Sequence, residues 1–137
     1  MKRQDSYTIS GIELTNTCAG TCIMCPRSHA MTRKQGFMDF GLFKSVITQY
    51  RADTPAGMDL PLPLDGMGES LLHPQFDRCI AYAARKGFKP TLALNPAVLT
   101  EEASRRLLNA GLYAVDLALE GADAITFGRI RGGEGWR

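Results

Sequence analysis

The chain has 137 residues, 45% hydrophobic and 22% charged, with a formal net charge of +2. That is room for one domain with a packed core. Charges of both signs are mixed throughout, which excludes a partner recognised by bulk charge, whether nucleic acid or an anionic membrane. The apolar runs are short and broken by proline, glycine or charge, so none reads as a membrane span. The leading MKRQDSYT has no apolar stretch behind its basic residues and is not read as a secretory signal; the expected compartment is the cytoplasm, where thiols stay reduced.

In chain order, strand-like runs alternate with helical patterns. Tyr7 to Leu14 reads as a first strand. Asp39 is placed to cap a helix running to about Arg51, with Phe43, Val46, Ile47 and Tyr50 on one face. Met58 to Leu64 reads as a second strand, although proline cannot donate to a ladder. It is therefore either short, starting near Leu62, or has the Pro61 and Pro63 nitrogens on an unpaired edge. Pro74 to about Lys86 follows as a helix with Phe76, Ile80 and Ala84 inward and Gly87 as its stop. Thr91 to Leu94 is a third strand. Thr100 caps a helix whose first turn carries Glu101 and Glu102 and which Gly111 ends. Tyr113 to Leu119 is a fourth strand.

This alternation predicts an α/β fold with a parallel sheet and helices packed outside it. The sequence runs out at Gly132-Gly133-Glu134-Gly135-Trp136-Arg137 with no closing element, so the fourth strand is expected to be an open edge. Such an edge implies a truncated chain, a fragment, or a partner that covers it.

Of the four cysteines, Cys18, Cys22 and Cys25 fall within eight residues, in the loop after the first strand. Loops at the carboxyl ends of parallel strands carry the chemistry of such folds. Clustered cysteines in a reducing compartment point to metal or redox chemistry rather than a disulfide framework. Three thiolates this close can wrap an iron–sulfur cube and leave one iron without a protein ligand. Gly20 lets the loop turn and Pro26 ends it. A structural zinc half-site and a redox dithiol remain open for Cys22 and Cys25 alone, with Cys79, His29 and His73 as the other soft ligands. Cys79 reads as a buried small hydrophobe, His29 as a loop residue, and His73 as a local structural residue.

The spacing Cys18-x-x-x-Cys22-x-x-Cys25 after Glu13-Leu14-Thr15-Asn16-Thr17 resembles the radical S-adenosylmethionine (radical SAM) superfamily. Within it the chain is similar to the subgroup that often carries a cysteine-rich SPASM extension, and Gly36-Phe37-Met38-Asp39 is similar to that subgroup's linker. Three further stretches match in order. Gly66-Met67-Gly68-Glu69-Ser70-Leu71-Leu72-His73-Pro74 resembles the family's Gly-Gly-Glu station, with Met67 in place of a glycine and Ser70 in place of a proline. Leu94-Asn95-Pro96 resembles a Thr-Asn-Gly station of which only Asn95 is kept. Leu117-Ala118-Leu119-Glu120-Gly121 followed by Ile130-Arg131-Gly132-Gly133 resembles the Ser-Leu-Asp-Gly and Ile-Arg-Gly-Gly segments, without the serine hydroxyl and with Glu120 one methylene longer.

The resemblance implies a partial (β/α) barrel of which residues 1–137 are the N-terminal portion, with about four βα units. It implies a [4Fe–4S] cluster held by Cys18, Cys22 and Cys25, and S-adenosylmethionine (SAM) bound near Met24, Gly68, Glu69, Asn95, Ala118, Glu120 and Arg131. In the family an external electron donor reduces the cluster, and SAM is cleaved to a 5′-deoxyadenosyl radical that takes hydrogen from a substrate. The substrate is not legible, although the subgroup modifies peptide or protein side chains. The other readings are a cluster-binding fragment without turnover and a zinc or dithiol structural domain.

Overall fold

Three apolar runs pair side by side in the computed structural model, which describes residues 9–55, 58 and 60–132. They are β1 (Pro61–Pro63), β2 (Lys89–Leu94) and β3 (Ala114–Leu117), parallel and in the order β1-β2-β3. Helix α1 (Pro26–His29) closes the cysteine loop and α2 (Phe40–Asp53) precedes β1. Helix α3 (Phe76–Arg85) links β1 to β2, α4 (Glu101–Ala110) links β2 to β3, and α5 (Ala124–Arg131) follows β3. The β1-α3-β2-α4-β3 order is the alternation the sequence predicts.

The caps explain the helix limits. The Asp39 side chain accepts from Leu42 N–H, and Thr100 accepts from Ala103 N–H, each satisfying a first-turn donor that has no helical partner. Helix α4 ends on Gly111 in the left-handed conformation. Helix α3 starts at Phe76 rather than Pro74, because a 3-10 turn at Ser70–Leu72 and the turn at Pro74 come first. Its inward face is Phe76, Cys79, Ile80 and Ala83; Ala84, expected inward, is only half-buried. These side chains join Phe43, Ile47 and Tyr50 of α2 and Leu62, Leu92 and Leu94 of the sheet in one core. Val115 and Leu117 pair with Leu92 and Leu94, share that face, and remain 41% and 45% exposed.

The expected first strand is not a strand. Tyr7 and Thr8 lie outside the described residues, and 9–14 run extended beside β1 with one backbone bond to it, Ile12 N–H to Pro63 O at 2.9 Å. The prolines give the reason. Leu60 O accepts from Lys89 N–H and Leu64 N–H donates to Thr91 O, so the even-numbered residues of β1 face β2. Successive strand residues direct their backbone groups to opposite edges, which leaves Pro61 and Pro63 facing the first segment with no N–H to give. Ile12 and Leu14 are nonetheless buried, so apolar packing holds the segment where a ladder cannot. Among the described residues the sheet thus has three strands and not four.

Two helices were not foreseen, α1 and α5. Ile130 and Arg131 lie in the last turn of α5, which Asp123 caps through Thr126 N–H. Gly133 to Arg137 lie outside the described residues. Among the described residues no helix is long and apolar enough to cross a membrane.

Candidate functional site

The cysteine loop and three of the stations lie at the carboxyl ends of the sheet strands and of the first segment beside them. Residues 18–25 follow the extended first segment, Gly66 to Glu69 follow β1, Asn95 follows β2, and Ala118 to Glu120 follow β3. In a parallel sheet this edge gathers loops that are distant in sequence.

The cysteine loop is held from both sides. Gly20 N–H donates to Cys18 Sγ at 3.3 Å, and Cys25 N–H donates to Cys22 O at 3.0 Å. A Cβ built on Gly20 would lie 3.5 Å from both Cys18 Sγ and Cys22 Sγ, so these two sulfurs flank the same side of the turn. All three thiols are free, with Cys22 buried and Cys18 and Cys25 half-buried. Arg27 Nη2 donates to Gly20 O from α1. On the other side Ile23 N–H donates to Ile130 O at 2.9 Å and Thr21 Oγ1 to Gly132 O at 3.1 Å, which sews the loop to the end of α5. Met24 is exposed in the turn between the second and third cysteines. Among the described residues no three His, Cys, Asp or Glu side chains surround one point as a single-ion site requires.

The station after β1 brings a carboxylate inside. Glu69 is 6% exposed. Its N–H donates to Thr17 O, its Oε2 accepts from Asn95 N–H at 3.2 Å, and its Oε1 is buried with no hydrogen-bond partner among the described residues. Burial pushes the Glu69 carboxyl above its ordinary range; the N–H groups of Asn95 and Leu71 and the charge of Arg131 pull it down but do not prevail. Gly68 lies against backbone rather than an open face, since a Cβ there would sit 2.1 Å from Thr15 O. Met67 N–H donates to Glu13 Oε2 at 2.8 Å and its side chain is partly exposed. Ser70, where a proline was expected, is buried and donates through Oγ to Leu64 O at 2.6 Å, tying the turn to the strand end. Asn95 contributes its backbone to Glu69, while its side chain caps the turn Pro96–Val98 through Ala97 N–H.

The station after β3 is built around Arg131. Its Nη2 donates to Glu120 Oε1 at 2.8 Å and to Ala118 O at 2.7 Å, its Nε donates to Glu120 Oε2, and its Nη1 lies 4.0 Å from Cys22 Sγ. The side chain is only 13% exposed. Burial acts against its charge, but Glu120 and Cys22 outweigh burial and keep it protonated. The guanidinium fork that suits an external carboxylate is therefore already occupied by Glu120, and the free end of Arg131 faces the cysteine loop.

His73 and Cys79 are structural, as the sequence reading has them. Gln75 N–H donates to His73 Nδ1, so Nε2 carries the proton given to Met38 O at 2.9 Å. Burial pushes the Cys79 thiol up to about 12. In the native metal-free protein at pH 8, iodoacetamide is expected to alkylate Cys18 and Cys25 within minutes and to spare Cys79 until denaturant is added. Peptide mass spectrometry measures this, and native labelling of Cys79 would contradict its place in the core.

Some positioning residues escaped the sequence reading. Thr15 Oγ1 donates to Gly36 O, Asn16 Nδ2 donates to Lys34 O, and Asn16 Oδ1 accepts from Gly36 N–H. These two buried side chains fasten the 34–37 linker to the base of the cysteine loop. The available signal was two polar residues directly after the apolar Leu14, with no glycine or proline to make them a turn.

No family model matches the chain. The chain is 25% identical over 126 residues to the tungsten-containing aldehyde ferredoxin oxidoreductase cofactor-modifying protein of Pyrococcus furiosus, covering 89% of this chain and 34% of that one. It is 28% identical over 120 residues to the AdoMet-dependent heme synthase of Methanosarcina barkeri, covering 88% and 33%. The chain thus spans about a third of the length of these curated relatives. BtrN in complex with AdoMet and 2-DOIA superposes with a TM-score of 0.69 at 25% identity, covering 78% of this chain and 43% of BtrN. SuiB of Streptococcus suis bound to S-adenosylmethionine shares the fold, with a TM-score of 0.71 at 14% identity over 91% of this chain and 28% of SuiB. With a three-cysteine loop and three ordered stations on one sheet edge, the chain is similar to these radical SAM proteins over about a third of the curated relatives' length.

Proposed function

We propose that the chain holds a [4Fe–4S] cluster and SAM for reductive SAM cleavage, as the N-terminal portion of a partial (β/α) barrel. The observation that carries this is the pairing of three free thiols in one eight-residue wrap with the buried, unpartnered Oε1 of Glu69. In a cubane each thiolate takes its own iron, so sulfurs strung along a loop fit it although they do not surround one point. A buried carboxylate oxygen without a donor fits a cationic ligand, and the SAM amino group is one.

A cluster held by Cys18, Cys22 and Cys25 would supply the one-electron reduction that reductive SAM cleavage requires. The chain's own residues bind and orient. Cys18, Cys22 and Cys25 are the cluster ligands. Glu69, held by Asn95 N–H, faces the amino group with its free oxygen. The backbone at Met24 and Ala118 borders the nucleoside, and Gly68 permits the close approach of the two loops. Arg131 and Glu120 act mainly as a clamp that fixes the Ala118 carbonyl and the Cys22 side of the loop. An external reductant supplies the electron. The substrate is a small molecule or a peptide side chain. BtrN, with AdoMet and 2-DOIA bound, supports a second ligand beside SAM, and the likeness to SPASM-type proteins favours a peptide.

The test is anaerobic reconstitution with iron and sulfide, then EPR of the reduced protein with and without SAM. A [4Fe–4S] signal that shifts on adding SAM is expected. A cluster without a SAM response would leave a cluster-binding unit without SAM chemistry, and bound zinc with no cluster would favour the structural-domain reading.

Glu69→Gln tests the carboxylate separately. Glutamine still accepts from Asn95 N–H but carries no charge, so SAM affinity is expected to fall about tenfold or more with the cluster intact. The same change is expected to stabilise the fold at neutral pH. A buried acid with a raised pKa destabilises the folded state only where it is ionised. The penalty is complete above the raised value, shrinks as pH falls through it, and vanishes below the ordinary value of 4.5. Urea midpoints of the two proteins should converge toward that pH. Unchanged SAM affinity would remove Glu69 from the site.

A further inference from the structure

Behind α1 lies a cleft of about 290 Å³ whose walls come from the residues just after the third cysteine and from Met67 of the station after β1. Its lining includes Arg27, Met31, Thr32, Arg33 and Met67, and none of the residues assigned above to cluster or SAM except through their chain neighbours. Two features mark it as a ligand site rather than a gap between loops.

The first is an unmatched cation. Arg33 is paired with Glu13 at 3.0 Å, and Glu13 is also held by Met67 N–H. Arg27 has no carboxylate partner among the described residues. Of the two guanidiniums on this wall, Glu13 pairs with Arg33 alone. The second is an orphan donor. Arg27 Nη2 is anchored to Gly20 O, which fixes the plane of the guanidinium under the cysteine loop, while its Nε is buried with no partner. A shielded N–H without an acceptor costs the fold free energy unless a ligand supplies one. Part of the remaining lining is soft and apolar, since Met31 and Met67 can shape themselves to an aliphatic body.

We infer that this cleft is an anchoring subsite for the substrate's carboxylate, with Arg27 as its cation and Met31 and Met67 around the aliphatic carbons behind it. The inference rests on the proposed reaction centre in the adjoining loop, which would place the carbons beyond the anchor near the SAM end of the sheet edge. A guanidinium pairs with carboxylate and phosphate alike, so the preference for a carboxylate with an aliphatic body over inorganic phosphate comes from Met31 and Met67.

The test is calorimetric titration of the reconstituted, anaerobic full chain with hexanoate, hexanol, N-acetyl-glutamate amide and inorganic phosphate. Hexanoate or the blocked glutamate is expected to bind at least about tenfold tighter than hexanol and phosphate; which of the two binds better tells a free acid from an acidic residue of a peptide. Arg27→Gln should abolish that preference, and Arg27→Lys should keep part of it. Because Arg27 also supports Gly20, Thr32→Glu provides a second arm: an internal carboxylate at this exposed lining position should block hexanoate without touching the loop. Equal binding of hexanoate and hexanol, or undiminished hexanoate binding in either Arg27→Gln or Thr32→Glu, would overturn the assignment. The titration needs no SAM, so the two readings fail separately. A SAM-dependent EPR shift with Arg27→Gln binding hexanoate like wild type sinks the cleft alone. Arg27-dependent hexanoate binding without any EPR response to SAM leaves a carboxylate site and sinks its catalytic setting.

Discussion

Cys22→Ala is expected to lose the cluster completely: iron and sulfide at background, no low-temperature EPR signal, and SAM cleavage reduced at least about a hundredfold. No other thiol can take its place. Cys79 is 1% exposed in the core face of α3, with its thiol held near 12 by burial. The two histidines are no better placed, since both nitrogens of His73 are engaged by Met38 and Gln75, and His29 sits on the exposed end of α1. The fold should survive, because the loop is also sewn down through Ile23, Thr21 and Arg27. Far-UV circular dichroism of the metal-free variant should match wild type. A variant that kept a full cluster would take Cys22 out of the ligand set.

Gly68→Ala is expected to cost about 3 kcal/mol or more of stability. Its Cβ would lie 2.1 Å from Thr15 O and 2.8 Å from Asn16 Cα, which are backbone atoms fixed by the Thr15 and Asn16 hydrogen bonds to the linker. Something must move, and what moves is the base of the cysteine loop. Gly36→Ala is the control. Nothing lies within 4 Å of a Cβ built there. The expected cost there is below about 1 kcal/mol. Urea unfolding of the metal-free proteins compares the two. Equal midpoints for both variants would show that the Gly68 contact relaxes without cost.

Much of the site was legible because its chemistry is local in sequence. Cys18, Cys22 and Cys25 occupy eight consecutive residues, and thiols that close in the chain are close in space whatever the fold does. Asp39, Thr100 and Gly111 are equally local, since a cap and a left-handed stop need only their neighbours, and all three stand where they were expected. The first strand was misjudged because a strand is not local. The run 9–14 is extended, but its ladder depends on donors in β1, and prolines fill the positions that would supply them.

The sequence alone determined the residue types: a three-thiol wrap, a glutamate after the first paired strand, an arginine after the last, and the alternation that brings their loops to one edge. Tertiary structure decided what each group is free to do. Glu69 Oε1 is buried with no hydrogen-bond partner among the described residues, while Oε2 accepts from Asn95 N–H. Arg131, by contrast, spends its fork on Glu120 and the Ala118 carbonyl and turns its other end to Cys22, 109 residues away. Arg27 is left beside a cleft with a buried N–H and, among the described residues, no carboxylate partner. Residue type fixes which hydrogen bonds and charges a group can offer. Whether they are already satisfied depends on neighbours that only folding brings near.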